Sequence, residues 1–281
     1  MAEKEVGLAT EKQTGQQSGD ATETPCNLDN IEQVIEEMRR RWLLLHRAGN
    51  WRAVFAKTYL LTTEKLFEAT RQPGVFLNPD WIVAIDCHFA QRYFSAEDCW
   101  EGDGICPWPW RIAFQSARQK RTFVFQDVLL GMSAHINYDL PYSLDATIPQ
   151  DATPEELTTY RRDNEQLNRV LVGIVNIIQE EIAGDYDPTL DVVDLIMGEG
   201  DEGGGSRMIR IWRARSWAHF LLLRQAKDDV AARAQVDKLI EQTACEYALM
   251  LMEIQRAVPG LYWPNRLYRD SLGWLVRRRR V

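Results

Sequence analysis

The chain has few of the signatures that would assign it to a large protein class. No apolar run approaches the ~20 residues that a helix needs to cross a bilayer. The first residues, Met-Ala-Glu-Lys-Glu, lack both the basic start and the apolar core of a signal peptide. No P-loop, GxSxG or HExxH motif is present, and no GxGxxG follows a strand pattern, so nucleotide-dependent and serine-hydrolase chemistry has no support. We therefore expect a soluble, cytoplasmic protein.

Cysteines are few, and basic residues are outnumbered by acidic ones. The five cysteines are odd in number and form no CxxC pair, which argues against zinc-ribbon and thioredoxin-like sites. Lys and Arg number 33 against 41 Asp and Glu, which gives a net charge of -8. Nucleic acids and anionic membranes require a basic face, so neither is expected as the main partner.

Helical periodicity dominates what is present. Apolar residues recur at helical spacing along most of the chain, whereas alternating strand patterns are nearly absent. Two helix starts carry strong signals, namely Asn78 before Pro79 and the capping box at residues 153–156. Hydrophobic residues make up 45% of the 281 positions, which is enough for a packed core. The pattern predicts an all-α, single-domain bundle of about eight to ten helices.

Composition divides the chain into a tail and a helical domain. Residues 1–26 have no large apolar side chain after Leu8, so they cannot bury enough surface to offset the entropy of ordering. We expect this tail to be disordered and the domain to cover residues 27–281. Within the domain, residues 198–205 indicate a flexible, acidic, glycine-rich loop.

The most informative segment is Gly131–Pro141, which follows an apolar run. It places four polar side chains within five residues, those of His135, Asn137, Tyr138 and Asp139. Burying such groups costs free energy unless each finds a partner. The segment therefore indicates either a functional pocket or a structural hydrogen-bond network.

Two chemical uses of this segment are open. His135 and Asp139 are four residues apart and share a face in a continuing helix. Asp139 could orient the imidazole as a general base, with Asn137 or Tyr138 polarising a carbonyl or enol. The pair could instead bind a divalent metal such as zinc or manganese, with His88 as a third ligand.

A structural interpretation competes with both uses. Asn137 and Asp139 could cap a chain reversal while His135 satisfies a buried hydrogen bond. Pro141 disfavours helical geometry at Leu140, so the helix is expected to end within the segment.

Other residues are candidates for a substrate pocket. Three of the four histidines lie on apolar helix faces, and helices of one bundle could bring them together. Trp108 and Trp110 flank a proline-rich loop and could either wall a pocket for an apolar ligand or attach that loop to the bundle. The predicted pocket residues are His88, Tyr93, Trp108, Trp110, Trp212 and His219.

The segment Leu129-Leu-Gly-Met-Ser-Ala-His-Ile-Asn-Tyr-Asp-Leu-Pro141 resembles the signature of an all-α family of unknown function found in bacteria and fungi. That signature reads Gly-Met-x-Ala-His-Ile-Asn-x-Asp-Leu, and by position His135, Asn137 and Asp139 match it, whereas Ser133 replaces the usual asparagine. Four other stretches are also similar to the family: Asn78-Pro-Asp-Trp81, Phe89-Ala-x-x-Tyr93, Trp110-x-x-Ala-Phe114 and Arg213-x-x-x-Trp217-Ala. The resemblance implies an all-α fold and brings no established reaction.

Three functions remain open at this point. The first is a cofactor-independent enzyme of the isomerase, cyclase or lyase type, including a pericyclic cyclisation, that acts on a small, largely apolar metabolite in specialised metabolism. The second is a divalent-metal hydrolase that uses His135, Asp139 and His88. The third is a non-catalytic binding or scaffold module. We prefer the first, because a catalytic zinc needs three protein ligands and local spacing secures only two.

Overall fold

The computed structural model describes residues 28–102, 104–120, 122–186 and 204–257, together with Arg269. These residues contain nine α-helices, a π-helical turn and no strand, which confirms the predicted all-α bundle. The elements are α1 Leu28–Arg47, α2 Ala53–Thr70, α3 Pro79–Glu101, α4 Trp108–Gln119, α5 Val124–Ala134, π1 His135–Asp139, α6 Leu140–Thr147, α7 Pro154–Asp185, α8 Gly204–Gln225 and α9 Val230–Ala257. None of the described helices is both long and apolar enough to cross a bilayer.

Some predicted features fall outside this part of the chain. The predicted disordered tail, residues 1–26, lies entirely outside the described residues. Most of the predicted loop 198–205 also lies outside them, and α8 begins within that predicted span, at Gly204.

Two helices begin where the local sequence signals predict. The Asn78 side chain accepts a hydrogen bond from the Trp81 N–H at 3.1 Å, and Pro79 stands in the first turn of α3. At the start of α7 the Thr153 N–H donates to Glu156 at 2.7 Å, and the Thr153 hydroxyl accepts from the Glu156 N–H at 3.2 Å. These side chains pair N–H groups that the first helical turn leaves without partners.

The segment that carries the predicted site runs through the centre of the bundle. The elements α5, π1 and α6 follow one another without a break, from Val124 to Thr147. Helices α2, α4 and α9 pack along α5, while α3 and α8 pack along α6 and also contact π1. Side chains from four or more helices can therefore reach the π-helical turn.

Gly131 allows α2 to approach α5 closely. A Cβ atom at this position would lie 2.3 Å from Cδ2 and 2.4 Å from Cγ of Phe55. Because a real Cβ cannot come that close to a ring, only glycine leaves room for this side chain. Phe55 in turn lies beside His135, with 6.1 Å between ring centroids. The glycine of the motif thus helps to place an aromatic ring at the site.

The helix does not end within the motif, so that prediction is wrong. Leu140 has a φ of -59° and a ψ of -40°, and its N–H donates to the His135 carbonyl five residues back. This is the wider pairing of a π-helix, which inserts an extra residue into the turn. Pro141 then falls in the first turn of α6, where a missing N–H is tolerated.

Ser216 replaces the hydrogen bond that Pro141 cannot make. In the π register the Ile136 carbonyl would accept from residue 141, which as a proline has no N–H. The Ser216 hydroxyl, on α8, lies 2.6 Å from this carbonyl and donates to it. Buried backbone carbonyls need a partner, and here a side chain from a different helix provides one.

Candidate functional site

His135 and Asp139 form a direct hydrogen-bonded pair at the π-helical turn. Nδ1 of His135 lies 2.9 Å from Oδ2 of Asp139, and both residues are buried. Because an ionised carboxylate only accepts hydrogen bonds, Nδ1 carries the proton and donates it to Asp139. In the neutral imidazole the other nitrogen, Nε2, then has a lone pair. The spacing of four residues predicted this contact.

Two further donors hold the Asp139 carboxylate. Nε1 of Trp110 lies 2.9 Å from Oδ2, the same oxygen that His135 contacts. Nε of Arg92 lies 3.4 Å from the other oxygen, Oδ1. A buried carboxylate is tolerated when several donors surround it. Asp139 is therefore held in one position, and it holds the imidazole in turn.

The His135 imidazole lies in a box of aromatic rings. Phe89 stacks on it in parallel, with 3.3 Å between the ring centroids and 7° between the planes. Tyr59 meets it edge-on, with 4.4 Å between centroids. Three more rings lie with their centroids 5.7 to 6.2 Å from that of the imidazole, those of Phe55, Tyr93 and Trp110.

This environment favours a neutral imidazole with one unpaired nitrogen. Burial lowers the pKa of His135 below its usual value, although the Asp139 carboxylate opposes the shift. His135 is 3% exposed, and its Nε2 has no hydrogen-bond partner. Buried polar atoms are nearly always paired, so an unpaired one needs an explanation such as a ligand or a catalytic role.

The other two polar residues of the motif make separate contacts. The Asn137 amide donates to the backbone carbonyl and to the hydroxyl of Ser133, at 3.1 and 3.2 Å, which leaves its Oδ1 unpaired. The half-buried Tyr138 ring lies near Tyr142, with 5.6 Å between centroids, and burial raises the pKa of Tyr138 to about 12. Ser133 thus accepts a hydrogen bond from Asn137.

His88 does not contact the His135–Asp139 pair directly, because Ser143 lies between them. Its Nδ1 is 3.1 Å from the Ser143 hydroxyl, which donates to the Asp139 backbone carbonyl at 3.2 Å. Within the described ranges, no three His, Cys, Asp or Glu side chains are grouped closely enough to hold a metal ion. The alternative metal set of His135, Asp139 and His88 is therefore not assembled in this structure.

Tyr93 and Trp110 are the predicted pocket residues that reach the His135 box. Tyr93 is oriented by Glu97, whose carboxylate accepts from the tyrosine hydroxyl at 2.8 Å. Burial raises the pKa of Glu97, opposed by that hydrogen bond and by nearby Arg52 and Arg41. Trp110 is wholly buried and donates to Asp139.

Three other predicted residues lie elsewhere. Trp108 is 57% exposed and packs under the Arg111 guanidinium, 4.4 Å from it. The buried Trp212 packs against Tyr247, with 5.6 Å between ring centroids. His219 is buried, its Nδ1 is unpaired, and burial together with nearby Arg215 lowers its pKa. None of the three joins the rings around His135.

Sequence reasoning missed Phe55, Tyr59, Phe89 and Arg92 as site residues. On the helical pattern Phe55 and Tyr59 look like ordinary core residues, so no signal separates them from the rest of the core. Phe89 did carry a signal, because it opens the stretch Phe89-Ala-x-x-Tyr93, which resembles the family. Arg92 did carry a signal. It stands four residues after His88, and hence on the same face of α3.

A family model matches most of the chain. The model is described as "Family of unknown function (DUF5995)" and matches residues 31–254. No curated protein and no solved structure matches the chain.

Proposed function

The chain belongs to the DUF5995 family of unknown function, and we propose that it is a cofactor-independent enzyme in which His135 acts as a general base on a small, largely apolar metabolite. One observation carries this proposal. Nε2 of His135 is buried without a partner, while Nδ1 is fixed by Asp139. An unpaired, oriented imidazole nitrogen is what proton abstraction requires.

The charges around His135 support this role. The lowered pKa keeps the imidazole unprotonated at neutral pH, so its lone pair is available. When Nε2 takes a proton, the imidazolium forms 2.9 Å from the Asp139 carboxylate, which stabilises it. Trp110 and Arg92 keep that carboxylate in position throughout.

The aromatic surroundings support an apolar substrate and a reaction that does not need bulk water. Ring walls exclude solvent and bind unsaturated or hydrophobic molecules. Such a site suits an isomerisation, an elimination or a cyclisation, including a pericyclic step promoted mainly by folding of the substrate. The setting that we propose is a cytoplasmic pathway of specialised metabolism.

Of the two residues considered for polarising a carbonyl, Tyr138 fits better than Asn137. The Asn137 amide already donates to Ser133, and what remains unpaired on it is an acceptor oxygen. The half-buried Tyr138 retains an O–H, which its raised pKa keeps protonated. We assign it the donor role toward a substrate carbonyl or enolate.

The experiment that tests this proposal compares turnover by wild-type protein, His135→Gln and Asp139→Asn. Each protein is incubated in D2O with a pool of small apolar metabolites, and products are followed by mass spectrometry. We expect the wild type to yield an isomer with deuterium at the carbon that is reprotonated, or an elimination product lighter by a small leaving group, with deuterium in the recovered substrate at the carbon that is reversibly deprotonated. His135→Gln should slow this by about 10²- to 10⁴-fold, the usual contribution of a general base.

His46→Gln is the matched control, because His46 is also buried but its Nδ1 lies 2.9 Å from the Tyr186 hydroxyl, in a different cluster. It should turn over substrate like the wild type. Turnover by His135→Gln at the wild-type rate would refute the assignment of the base. Activity that disappears on chelation and returns with zinc would instead favour a metal-dependent hydrolase.

A further inference from the structure

Arg92 lies at the rim of the aromatic box around His135. Most of its N–H donors make no hydrogen bond to the described residues. Its guanidinium carbon is 4.5 Å from the centre of the Tyr142 ring and 5.9 Å from that of Tyr138. The side chain is 26% exposed, so it borders both the buried pair and solvent. Cation–π contacts of this kind hold a guanidinium in place while leaving its edges free.

The ion pair of Arg92 with Asp139 is incomplete. Only Nε contacts the carboxylate, at 3.4 Å, and Asp139 already accepts from His135 and Trp110. A guanidinium has five N–H donors, and the four on the terminal nitrogens make no hydrogen bond within the described part of the chain. Arg41, by contrast, donates to Glu37 and Asp98 at 2.6 Å each.

Phe89 connects this rim to the buried base. It precedes Arg92 by three residues on α3, so the two share a helix face. Its half-buried ring covers the His135 imidazole at 3.3 Å between centroids. Inside the box, His135 Nε2 and the Tyr59 hydroxyl are buried and unpaired, as polar atoms that meet a ligand would be.

We propose that the site takes a planar, largely apolar carboxylic acid, whose carboxylate binds the terminal nitrogens of Arg92 while its unsaturated body enters the aromatic box with the reacting C–H toward Nε2 of His135, in the plane of the imidazole. This inference rests on the proposed function and names its substrate class. The planar fork of a guanidinium matches a carboxylate in a bidentate pair, which is stronger than a neutral hydrogen bond. The rings of Tyr142 and Tyr138 keep the Arg92 guanidinium in place.

Binding of two probes of equal shape tests the proposal. Cinnamate carries the carboxylate, and cinnamamide is its neutral counterpart. Titration of the full chain, followed by NMR chemical shifts or calorimetry, should show cinnamate binding at least about tenfold more tightly than the amide. Arg92→Gln should abolish this preference, and Arg92→Lys should retain part of it because the charge remains but the fork is lost.

Arg111→Gln is the control variant, since the Arg111 guanidinium lies 4.4 Å from the Trp108 ring, an arrangement similar to that of Arg92 over Tyr142. It should leave the preference for cinnamate unchanged. Equal binding of the two probes by the wild type would overturn the proposal, as would an undiminished preference in Arg92→Gln. Loss of the preference in Arg111→Gln would overturn it as well, because the effect would then not be specific to this site.

His135→Gln separates this inference from the proposed function. Its carboxylate preference should persist, because Arg92 is unaltered. If that variant keeps both turnover and the preference, the acid-binding site stands and the general-base role fails. If it loses turnover but the wild type shows no preference for cinnamate, the base stands and the acid-binding site fails.

Discussion

Phe89 lies parallel to His135, with 3.3 Å between the ring centroids and 7° between the ring planes. Phe89 is half-buried, whereas His135 is 3% exposed. The phenyl ring therefore separates the imidazole from solvent on this side of α3. Phe89 is the ring that covers this face of the imidazole, which makes the stack the first contact to test.

Phe89→Ala should expose His135 to chemical modification. A stacked aromatic pair contributes about 1 kcal/mol, so its removal should raise the open population, and hence the rate of carbethoxylation by diethylpyrocarbonate, by roughly fivefold. Peptide mass spectrometry reports this rate for each histidine. His46, in its separate cluster with Tyr186, should react as slowly as before. An unchanged His135 rate would show that Phe89 does not cover it.

Gly131→Ala should destabilise the protein, whereas Gly173→Ala should not. The new methyl at position 131 would overlap the Phe55 ring, and forced repacking of this kind costs about 1–3 kcal/mol. Gly173 lies within α7 with nothing in the space where a Cβ would stand, so alanine should stabilise the helix by up to about 1 kcal/mol. Urea unfolding measures both. If the two substitutions changed the unfolding free energy in the same direction, this would contradict the role given to Gly131.

Ser216→Ala should weaken the π-helical turn. It leaves the buried Ile136 carbonyl without its donor, and an unpaired buried acceptor costs about 1–3 kcal/mol. Ser95→Ala is the matched control, because the exposed Ser95 hydroxyl bonds only to the carbonyl four residues back, that of Gln91, at 2.9 Å. We expect its unfolding free energy to stay within about 0.5 kcal/mol of the wild type. Similar losses in both variants would mean that Ser216 has no special role.

Asp86 should make the protein less stable as the pH rises. Burial raises the pKa of this carboxyl from 3.8 to about 7, opposed by the Thr63 hydroxyl. The folded state then binds its proton more tightly than the unfolded state. The stability from this group is full below pH 3.8 and is lost as the pH rises through about 7.

Asp86→Asn removes that dependence. Relative to the wild type, the variant should gain about 2.5 kcal/mol of unfolding free energy between pH 5 and pH 8. Urea titrations of both proteins at the two pH values provide the difference, in which the contributions of other groups cancel. A difference that does not change with pH would show that Asp86 has an ordinary pKa in the folded protein.

Much of the fold could be predicted from residues near one another in the sequence. Helical periodicity identifies the bundle, and Asn78 and the capping box at Thr153 place the starts of α3 and α7. The short separation in sequence also explains the pairing of His135 with Asp139, because side chains four residues apart lie close together on a helix. Each of these features depends on hydrogen bonds and distances within a single turn.

The continuation past Pro141 could not be predicted in this way. The rule that proline ends a preceding helix assumes the α register, in which the lost N–H leaves a carbonyl unpaired. In the π register the carbonyl left without an N–H is that of Ile136. The Ser216 hydroxyl, 80 residues away in sequence, donates a hydrogen bond to it. The exception therefore depends on a tertiary contact.

The sequence by itself determined an all-α protein and a spacing of four residues between His135 and Asp139, which pairs them if the helix continues, because both follow from short-range geometry. Only the tertiary structure decided what surrounds that pair. Phe55, Phe89 and Trp110 come from three different helices, and Phe55 fits only because Gly131 has no side chain. The tertiary structure also placed Trp108 at the surface. Such convergence depends on packing between helices far apart in sequence, which local periodicity does not encode.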